Sequence, residues 1–343
     1  MTIERVDPLT LDAATADRCA DIMNAVISAN RLDQAPVNGR TFAGQVKHGH
    51  DDTPSNGLWL ARAGDEIVGH AQLELSTWDN PRMAMVFCTV HPDHVGRGIG
   101  TSLLDAQTQA AREAGRNLLL TFAMRDTPTS RFLTGAGFEM AQATVQRRLR
   151  PPQLDYDAIQ GYADEAAAHA GDYELVRLDG PAPEEWLPTL QDLHEAINDA
   201  PLDDIDLEPD AFPPERLRRF EAAMAARGQH LYRLMARHRE AGAWAGHTIM
   251  CVDETRPGVA MQEDTTVVGS HRGHRLGMLL KATMLLWMRE AHPELETIDT
   301  WNAESNHHMI AINDQLGCRV NGHGVALQRR LPERSDSDAV PTT

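Results

Sequence analysis

Apolar and polar residues alternate with two different periods along this chain, and the same order of periods occurs twice. Residues 16–29 and 184–198 carry apolar side chains at the three- and four-residue spacing of an amphipathic helix. Each predicted helix is followed by three apolar runs of strand length, the last of which leads into a glycine-bearing turn. These runs are residues 58–63, 67–75 and 83–90 in the first half and residues 231–238, 243–252 and 260–268 in the second.

The helix predicted after each turn has one apolar face. That face consists of Ile99, Leu103, Ala106 and Ala110 in the first half and of Leu276, Leu280, Met284 and Trp287 in the second. A last strand and a short helix close each half. Mixed strands with helices between them predict an α/β fold, in which helices flank a mixed central sheet.

Four landmarks align the two halves in the same order. The Gly-His pair at residues 69–70 matches the pair at 246–247 with a separation of 177 residues, and the turns match at the same separation. The opening strands match at a separation of 170 residues and the closing helices at 180. We therefore expect two tandem copies of one domain. The predicted domains are residues 1–150 and 173–331, with a linker at 151–172 and a disordered tail at 332–343.

Most of the negative charge lies in one segment. The formal net charge is −18, and residues 151–213 hold 17 acidic side chains against the single Arg177. Such a field opposes nucleic acid and anionic lipid, so neither partner is predicted. The four cysteines form no closely spaced pair, and no apolar run has the length of a signal peptide or a membrane span. We expect a cytoplasmic protein, with a monomer and a homodimer both open.

The glycine-bearing turns have the chemistry of an anion site. A strand that passes through a turn directly into a helix points several backbone N–H groups at one place, with the positive end of the helix dipole behind them. Glycine allows close approach of the backbone, and arginine adds charge-assisted hydrogen bonds. A phosphate group is the natural ligand of such a turn. Neither turn belongs to a Rossmann or P-loop motif.

Both turns resemble the pyrophosphate loop of the GNAT acyltransferase superfamily, Q/R-x-x-G-x-G/A. The first turn, Val95-Gly96-Arg97-Gly98-Ile99-Gly100, has valine where the family prefers glutamine or arginine. The second, Arg272-Gly273-His274-Arg275-Leu276-Gly277, has arginine where the central glycine belongs. The closing segments at residues 127–138 and 301–318 also resemble the family pattern, so the resemblance covers nearly the whole chain.

This resemblance implies acetyl-coenzyme A as the donor, with its pyrophosphate on a turn and its pantetheine arm along the strand before it. The implied cofactor-binding residues are Val267, Val268, Asn302, Asn306 and the turn from Arg272 to Gly277 in the second half, and Val90 and the turn from Val95 to Gly100 in the first. The two asparagines serve equally well as caps of the following helix. The tyrosine acid customary in the family is replaced by Leu133 in the first half and Asn313 in the second.

Direct transfer to an amine requires a base for the ammonium proton and an N–H donor for the developing oxyanion. Only the second half has carboxylates on the strand before its turn, at Glu263 and Asp264. In a regular strand these acids point to opposite faces, so only one can face the substrate. We therefore predict a catalytic second half, with Glu263 or else Asp264 as the base and the N–H of Val267 as the oxyanion donor, and a degenerate first half.

The densest acidic stretch, residues 198–212, lies where the resemblance implies that the acceptor binds. A small cationic amine is the expected acceptor, and its expected ligands are Asp199, Asp203, Asp204 and Asp206. The sequence thus predicts an acetyl-coenzyme A-dependent N-acetyltransferase that acts on a small-molecule amine. A non-catalytic acyl-coenzyme A sensor or scaffold stays open as the alternative.

No metal site is predicted. Histidine and aspartate at positions 48, 50, 51 and 52 have the chemistry of metal ligands, but their surroundings are those of a polar loop.

Overall fold

The computed structural model describes residues 1–49 and 55–332. The predicted tail beyond residue 332 and positions 50–52 of the polar loop lie outside the described residues. The strands are β1 (Thr2–Val6), β2 (Gly57–Ala63), β3 (Glu66–Leu75), β4 (Met83–Val90), β5 (Leu118–Met124), β6 (Glu139–Leu149), β7 (Tyr173–Asp179), β8 (Gln229–His238), β9 (Trp244–Asp253), β10 (Val259–Val267), β11 (Thr297–Ala303) and β12 (Arg319–Arg330). The helices are α1 (Ala13–Ala29), α2 (Gly39–His48), α3 (Ile99–Glu113), α4 (Pro128–Gly135), α5 (Tyr156–His169), α6 (Leu187–Glu195), α7 (Pro214–Ala226), α8 (Leu276–Ala291) and α9 (His307–Gln315).

The two predicted α/β copies share one continuous sheet. Its strand order is β1-β2-β3-β4-β5-β12-β6-β11-β10-β9-β8-β7. The closing strands are exchanged between the halves, because β12 pairs with β5 while β6 pairs with β11. The boundaries at residues 150 and 173 therefore describe the sequence repeat, whereas each half of the sheet is completed by a strand from the other copy.

The repeated Gly-His pair marks a close approach between neighbouring strands. A Cβ on Gly69 would lie 2.9 Å from the carbonyl oxygen of Thr89, and a Cβ on Gly246 would lie 2.6 Å from that of Thr266. Both distances are too short for any other residue. The histidine after each glycine is buried, so the landmark reflects packing in both halves.

The predicted apolar helix faces form the cores. Ile99 and Leu103 of α3 are buried against β3 to β5 and against Val325 of the exchanged strand β12. Leu280 of α8 is buried with Ile159 of α5, so the linker contains the predicted connecting helix and that helix belongs to the second core. Among residues 1–49 and 55–332, no helix is both long and apolar enough to cross a bilayer.

Candidate active site

The first half contains an opening between two parallel strands. β4 is paired with β5 only from Met83 to Met85, so the rest of β4 diverges from its neighbour. The N–H of His91 donates to the oxygen of Val68 on β3 at 2.8 Å. Because hydrogen-bonding direction alternates along an antiparallel strand, the N–H of Val90 points away from β3 and into the opening. A free strand edge of this kind can pair with an extended ligand.

The turn after β4 offers backbone donors to the same region. Gly96 and Gly98 adopt left-handed φ angles of 75° and 77°, and Gly98 is the N-cap of α3 without any side-chain cap. A Cβ added at either glycine would meet no atom within 4 Å. The uncapped N–H groups of α3 therefore face open space, as an anion site requires. Arg97 is exposed beside this turn and donates to the carbonyl oxygen of Asp93.

A cavity of about 840 Å³ joins the strand opening to this turn. Its walls come from α1 and the segment after it, from the end of β4, from the turn and from α4. The second half supplies a further wall through β8 to β11. Residues representative of these walls are Ile27, Leu32, Cys88, Val90, Gly98, Phe132, Asp253, Arg256, Asp299 and Trp301. The cavity is large enough for a cofactor arm and a small acceptor.

The second half has the same backbone turn with a different side chain. Gly273 has a φ of 88°, and Arg275 takes the left-handed conformation of Gly98 with a φ of 56°. Holding arginine there costs about 1–3 kcal/mol. The Arg275 side chain forms an ion pair with Glu165 of α5. The second half thus has an arginine side chain at the position where Gly98 leaves open space in the first half.

Two further side chains at the second turn, those of Arg272 and His271, also have protein partners. Arg272 pairs with Asp199 at 2.5 Å, and His271 Nδ1 lies 3.0 Å from the hydroxyl of Tyr173. Burial lowers the pKa of His271, and the neighbouring histidines at 238 and 274 lower it further. The predicted anion ligands Arg272 and Arg275 therefore each form an exposed ion pair with a carboxylate of the chain itself.

The second strand opening lies beside this turn. β10 is paired with β11 only from Val259 to Met261, and the N–H of Val268 donates to Ala245 at 2.9 Å. The same alternation directs the N–H of Val267 into the opening, as an oxyanion donor requires. Thus the strand geometry recurs in both halves, and the turns distinguish them.

The two asparagines predicted near the pantetheine arm have partners inside the second half. Asn306 caps α9 by accepting the N–H of Met309, and the Oδ1 of Asn302 accepts from the Nδ2 of Asn313 at 2.9 Å. The capping alternative is thus realised at Asn306. The structure gives both side chains a role in the second half that needs no ligand.

The two predicted base candidates do not point to opposite faces, so that prediction is wrong. The register of β10 against β9 shifts between Gln262 and Thr265, which is a β-bulge. An extra residue in the bulge breaks the alternation of sides, and both Glu263 and Asp264 line one cavity of about 200 Å³. Met261 lines the larger cavity instead.

Comparison with known proteins agrees with this geometry. Residues 28–138 match the model of the Acetyltransferase (GNAT) family. A solved tandem GNAT protein from the clavulanic acid biosynthesis pathway, determined without AcCoA, matches 97% of this chain and 100% of its own length at 26% identity, with a TM-score of 0.78. The chain has a tandem GNAT architecture.

Other relatives of this tandem GNAT chain are more distant or matched over less of their length. Mycothiol acetyltransferase from Stackebrandtia nassauensis is 32% identical over 123 residues, which span 36% of this chain and 39% of that relative. A GCN5-related N-acetyltransferase from Sphaerobacter thermophilus shares the fold at 13% identity, covering 96% of this chain and 95% of its own, with a TM-score of 0.65.

The acidic segment of the tandem GNAT chain docks against the first half. Asp206 pairs with Arg82 at 3.2 Å and with Arg330 at 2.8 Å, and these contacts lower its pKa. Asp203 accepts a hydrogen bond from Ser305, and the backbone N–H of Asp204 donates to Ala141. With Asp199 held by Arg272, three of the four predicted acceptor ligands already have partners within the chain.

Sequence reasoning missed the wall that the second half adds to the large cavity. Asp299 accepts two hydrogen bonds from Arg148, at 2.6 and 2.7 Å, and this contact raises the pKa of Arg148. Burial tends to raise the pKa of Asp253, but hydrogen bonds from Thr255 and the nearby Arg256 guanidinium lower it overall. No local motif marks these residues, because the exchange of β6 and β12 brings the two halves together at this wall.

Proposed function

We propose that this tandem GNAT chain transfers an acetyl group directly from acetyl-coenzyme A to the primary amine of a small molecule, with the cofactor bound in the first half. The observation that carries the proposal is the large cavity, which connects the free edge of β4 to the open glycine turn. The family match at residues 28–138 supports the same half. This assignment reverses the expectation of a degenerate first half.

The residues of the first half fit the cofactor. The N–H groups between Val95 and Gly100 would hold the pyrophosphate, since Gly96 and Gly98 leave the space before them open. The N–H groups along β4 would pair with the pantetheine arm. Acetyl-coenzyme A supplies an activated thioester. Within the chain, the N–H of Val90 is the donor directed at the opening, where it would stabilise negative charge on the thioester oxygen.

The acceptor would enter beside α1 and the second-half wall. Met23, Ile27 and Leu32 give this part of the cavity an apolar surface, and Trp301 adds an aromatic face. An amine with an apolar body matches these walls better than a highly charged one. The acidic segment is engaged elsewhere, so the positive charge of the acceptor would be that of the amine itself.

Among the described residues that line this cavity, no carboxylate is free of an ion pair to receive the ammonium proton. Asp253 and Asp299 reach its wall, but each is held by an arginine, Arg256 or Arg148. A carboxylate held in an ion pair is a weak base, and hydrogen bonds from Thr255 and the nearby Arg256 guanidinium also lower the pKa of Asp253. We therefore propose that the amine first loses its ammonium proton to water and reacts as the neutral molecule. Its nitrogen forms the new C–N bond as the thioester C–S bond breaks, and the proton that the nitrogen then releases is taken up by the departing coenzyme A thiolate.

The experiment is an acetylation screen that follows release of free thiol from acetyl-coenzyme A with a panel of primary amines. Transfer that is lost in Gly98→Arg and retained in Glu263→Gln supports the proposal. Loss of transfer in Glu263→Gln alone would assign catalysis to the second half. Binding of acetyl-coenzyme A without transfer to any amine would support the alternative role of a sensor or scaffold. The replacement of the family's customary tyrosine by Leu133 favours that alternative.

A further inference from the structure

Trp301 of β11 differs from the other tryptophans of the chain. Its side chain is 39% exposed and lines the large cavity. Among the described residues, neither an aromatic ring nor a guanidinium packs against its indole. The other five tryptophans each have such a neighbour, namely Trp59, Trp78, Trp186, Trp244 and Trp287. The indole of Trp301 therefore presents an unfilled aromatic surface to the cavity.

This indole reaches across two strands of the central sheet. Trp301 is paired with Gln146 on β6, and β6 is paired in turn with β12. A Cβ on Gly324 of β12 would lie 2.9 Å from Cζ3 of Trp301. Because β11 and β12 are two strand spacings apart, about 10 Å, the ring must lie along the sheet. One broad side of the indole thus faces the strands, and the opposite side faces the cavity.

Two glycines of the exchanged strand β12 make room for this arrangement. Gly322 and Gly324 do not have left-handed φ angles, so their backbone does not require glycine. A Cβ on Gly324 would also lie 2.6 Å from Oγ1 of Thr144, and one on Gly322 would lie 2.5 Å from Cε of Met124. A side chain at either position would therefore displace its neighbours. Glycine is found in strands where another group approaches the backbone closely, and here that group is the indole or the Met124 methyl group.

The polar side chains beside the indole are paired with one another. Gln146 donates to Asp299 at 3.3 Å and accepts from Asn321 at 3.0 Å. Asp299 also accepts from Arg148. The aromatic surface is thus the part of this wall that is left for a ligand. Aromatic rings pack on one another with a gain beyond the area they bury, so a planar ring fills such a surface best.

We propose that Trp301 determines acceptor specificity by stacking on an aromatic ring of the amine, and that Gly324 keeps the indole in position to do so. This inference rests on the proposed function, in which the same cavity holds acetyl-coenzyme A and the acceptor. The substrate class that follows is a primary amine whose body carries a planar aromatic ring. The second half thereby selects the acceptor for transfer in the first half.

The test is isothermal titration of the full chain, without acetyl-coenzyme A, with phenethylamine and with 2-cyclohexylethylamine. The two amines have the same charge and the same number of carbon atoms, but only phenethylamine has a planar ring. Stacking is worth a factor of about 3–10 in affinity beyond the buried area, so phenethylamine should bind the wild type more tightly by that ratio. Equal affinities, or no measurable binding of phenethylamine, would overturn the inference.

Substitutions at Trp301 test its role. Trp301→Leu should reduce the affinity ratio of the two amines to below about two, and Trp301→Phe should retain part of the ratio. A general loss of stability does not imitate this result, because the ratio compares two ligands on one variant. Trp244→Leu is the matched control, since Trp244 is half-buried but does not line the cavity. A ratio that survives in Trp301→Leu, or that falls as far in Trp244→Leu, would contradict the role of Trp301.

A substitution at Gly324 tests the positioning of the indole. Gly324→Ala adds the methyl group that the indole leaves no room for, so the ratio should fall as it does in Trp301→Leu. Gly161→Ala on α5 is its control, because a Cβ there meets no atom within 4 Å. An unchanged ratio in a Gly324→Ala chain that circular dichroism shows to be folded would contradict the positioning role.

A transfer assay with phenethylamine separates this inference from the proposed function. Both are supported if transfer is lost in Gly98→Arg and if Trp301→Leu raises KM about threefold or more while kcat is retained. An equal KM in Trp301→Leu and the wild type, with transfer still lost in Gly98→Arg, contradicts the inference alone. Binding that depends on the ring and on Trp301, without any acetylation of phenethylamine or with full transfer in Gly98→Arg, contradicts the proposed function instead.

Discussion

His70 on β3 should make the stability of the chain depend on pH. Its side chain is 4% exposed, its ring centroid lies 5.0 Å from that of Phe42, and neither ring nitrogen has a partner among the described residues. Burial lowers the pKa of His70 to about 4. The folded chain therefore keeps this imidazole neutral at pH values where the unfolded chain protonates it.

The magnitude follows from the shift. In the unfolded chain His70 has its ordinary pKa of 6.5, so between pH 6.5 and 4 the unfolded state binds the additional proton. The free energy of unfolding must then fall as the pH falls through this range. At about 1.4 kcal/mol per pH unit, acidification from pH 7 to pH 5 should cost about 2 kcal/mol through His70 alone.

The assay is urea unfolding of the wild type and His70→Phe at pH 7 and pH 5, followed by circular dichroism. Phenylalanine keeps an aromatic ring beside Phe42 and removes the titrating group. We expect the loss between the two pH values to be smaller by about 2 kcal/mol in the variant, whatever the substitution does at pH 7. His308→Phe, at an exposed position, should lose as much as the wild type. A His70→Phe chain that is equally acid-sensitive would refute the reasoning.

Three further predictions concern other buried groups and the chemistry. Glu221 and Arg233 form an ion pair in which each side chain is 2% exposed, so Glu221→Gln should lower the free energy of unfolding by about 3–5 kcal/mol. The control is Glu215→Gln at an exposed position of the same helix, which should lower it by less than about 1 kcal/mol. Urea unfolding of both variants and the wild type measures the two losses. Burial raises the pKa of Cys88, a thiol that lines the large cavity, to about 11. Mass spectrometry should therefore find slow labelling of Cys88 by maleimide at pH 7 and faster labelling at pH 9. Bound acetyl-coenzyme A should protect the thiol, and a labelling rate that is the same with and without the cofactor would place the cofactor elsewhere. Finally, kcat/KM for an amine that is turned over should rise about tenfold per pH unit below the pKa of that amine, and a plateau at lower pH would reveal an enzymatic base.

The tandem α/β architecture was predictable because its signals are local. The Gly-His pair recurs since Gly69 and Gly246 each face a carbonyl oxygen too closely for a side chain, and the amphipathic faces of α3 and α8 follow directly from helical spacing. No local sequence pattern indicates the exchange of β6 and β12 between the halves. The pairing of each strand depends on contacts between residues more than a hundred positions apart.

The turns and strand openings of the site were predictable, whereas the prediction that its two acids point to opposite faces of β10 was wrong. The turns and the strand openings lie where the spacing indicates, but alternation along β10 fails at the bulge, which side-chain pattern alone does not reveal. The carboxylates of Glu263 and Asp264 are the reason that the sequence predicts catalysis in the second half. For the binding of a phosphate group, the difference between Gly98 and Arg275 matters more than these acids. It determines whether the space at the N-terminus of α3 or α8 is open or contains an arginine side chain.

The central claim, that acetyl-coenzyme A binds in the first half, is tested most directly by exchanging these two residues. Gly98→Arg gives the first turn the residue of the second, and Arg275 shows that arginine can adopt the required backbone conformation. Calorimetric titration of acetyl-coenzyme A should show at least tenfold weaker binding to Gly98→Arg and unchanged binding to Arg275→Gly, with circular dichroism confirming that both are folded. Full affinity in Gly98→Arg, together with altered affinity in Arg275→Gly, would place the cofactor in the second half and contradict the account.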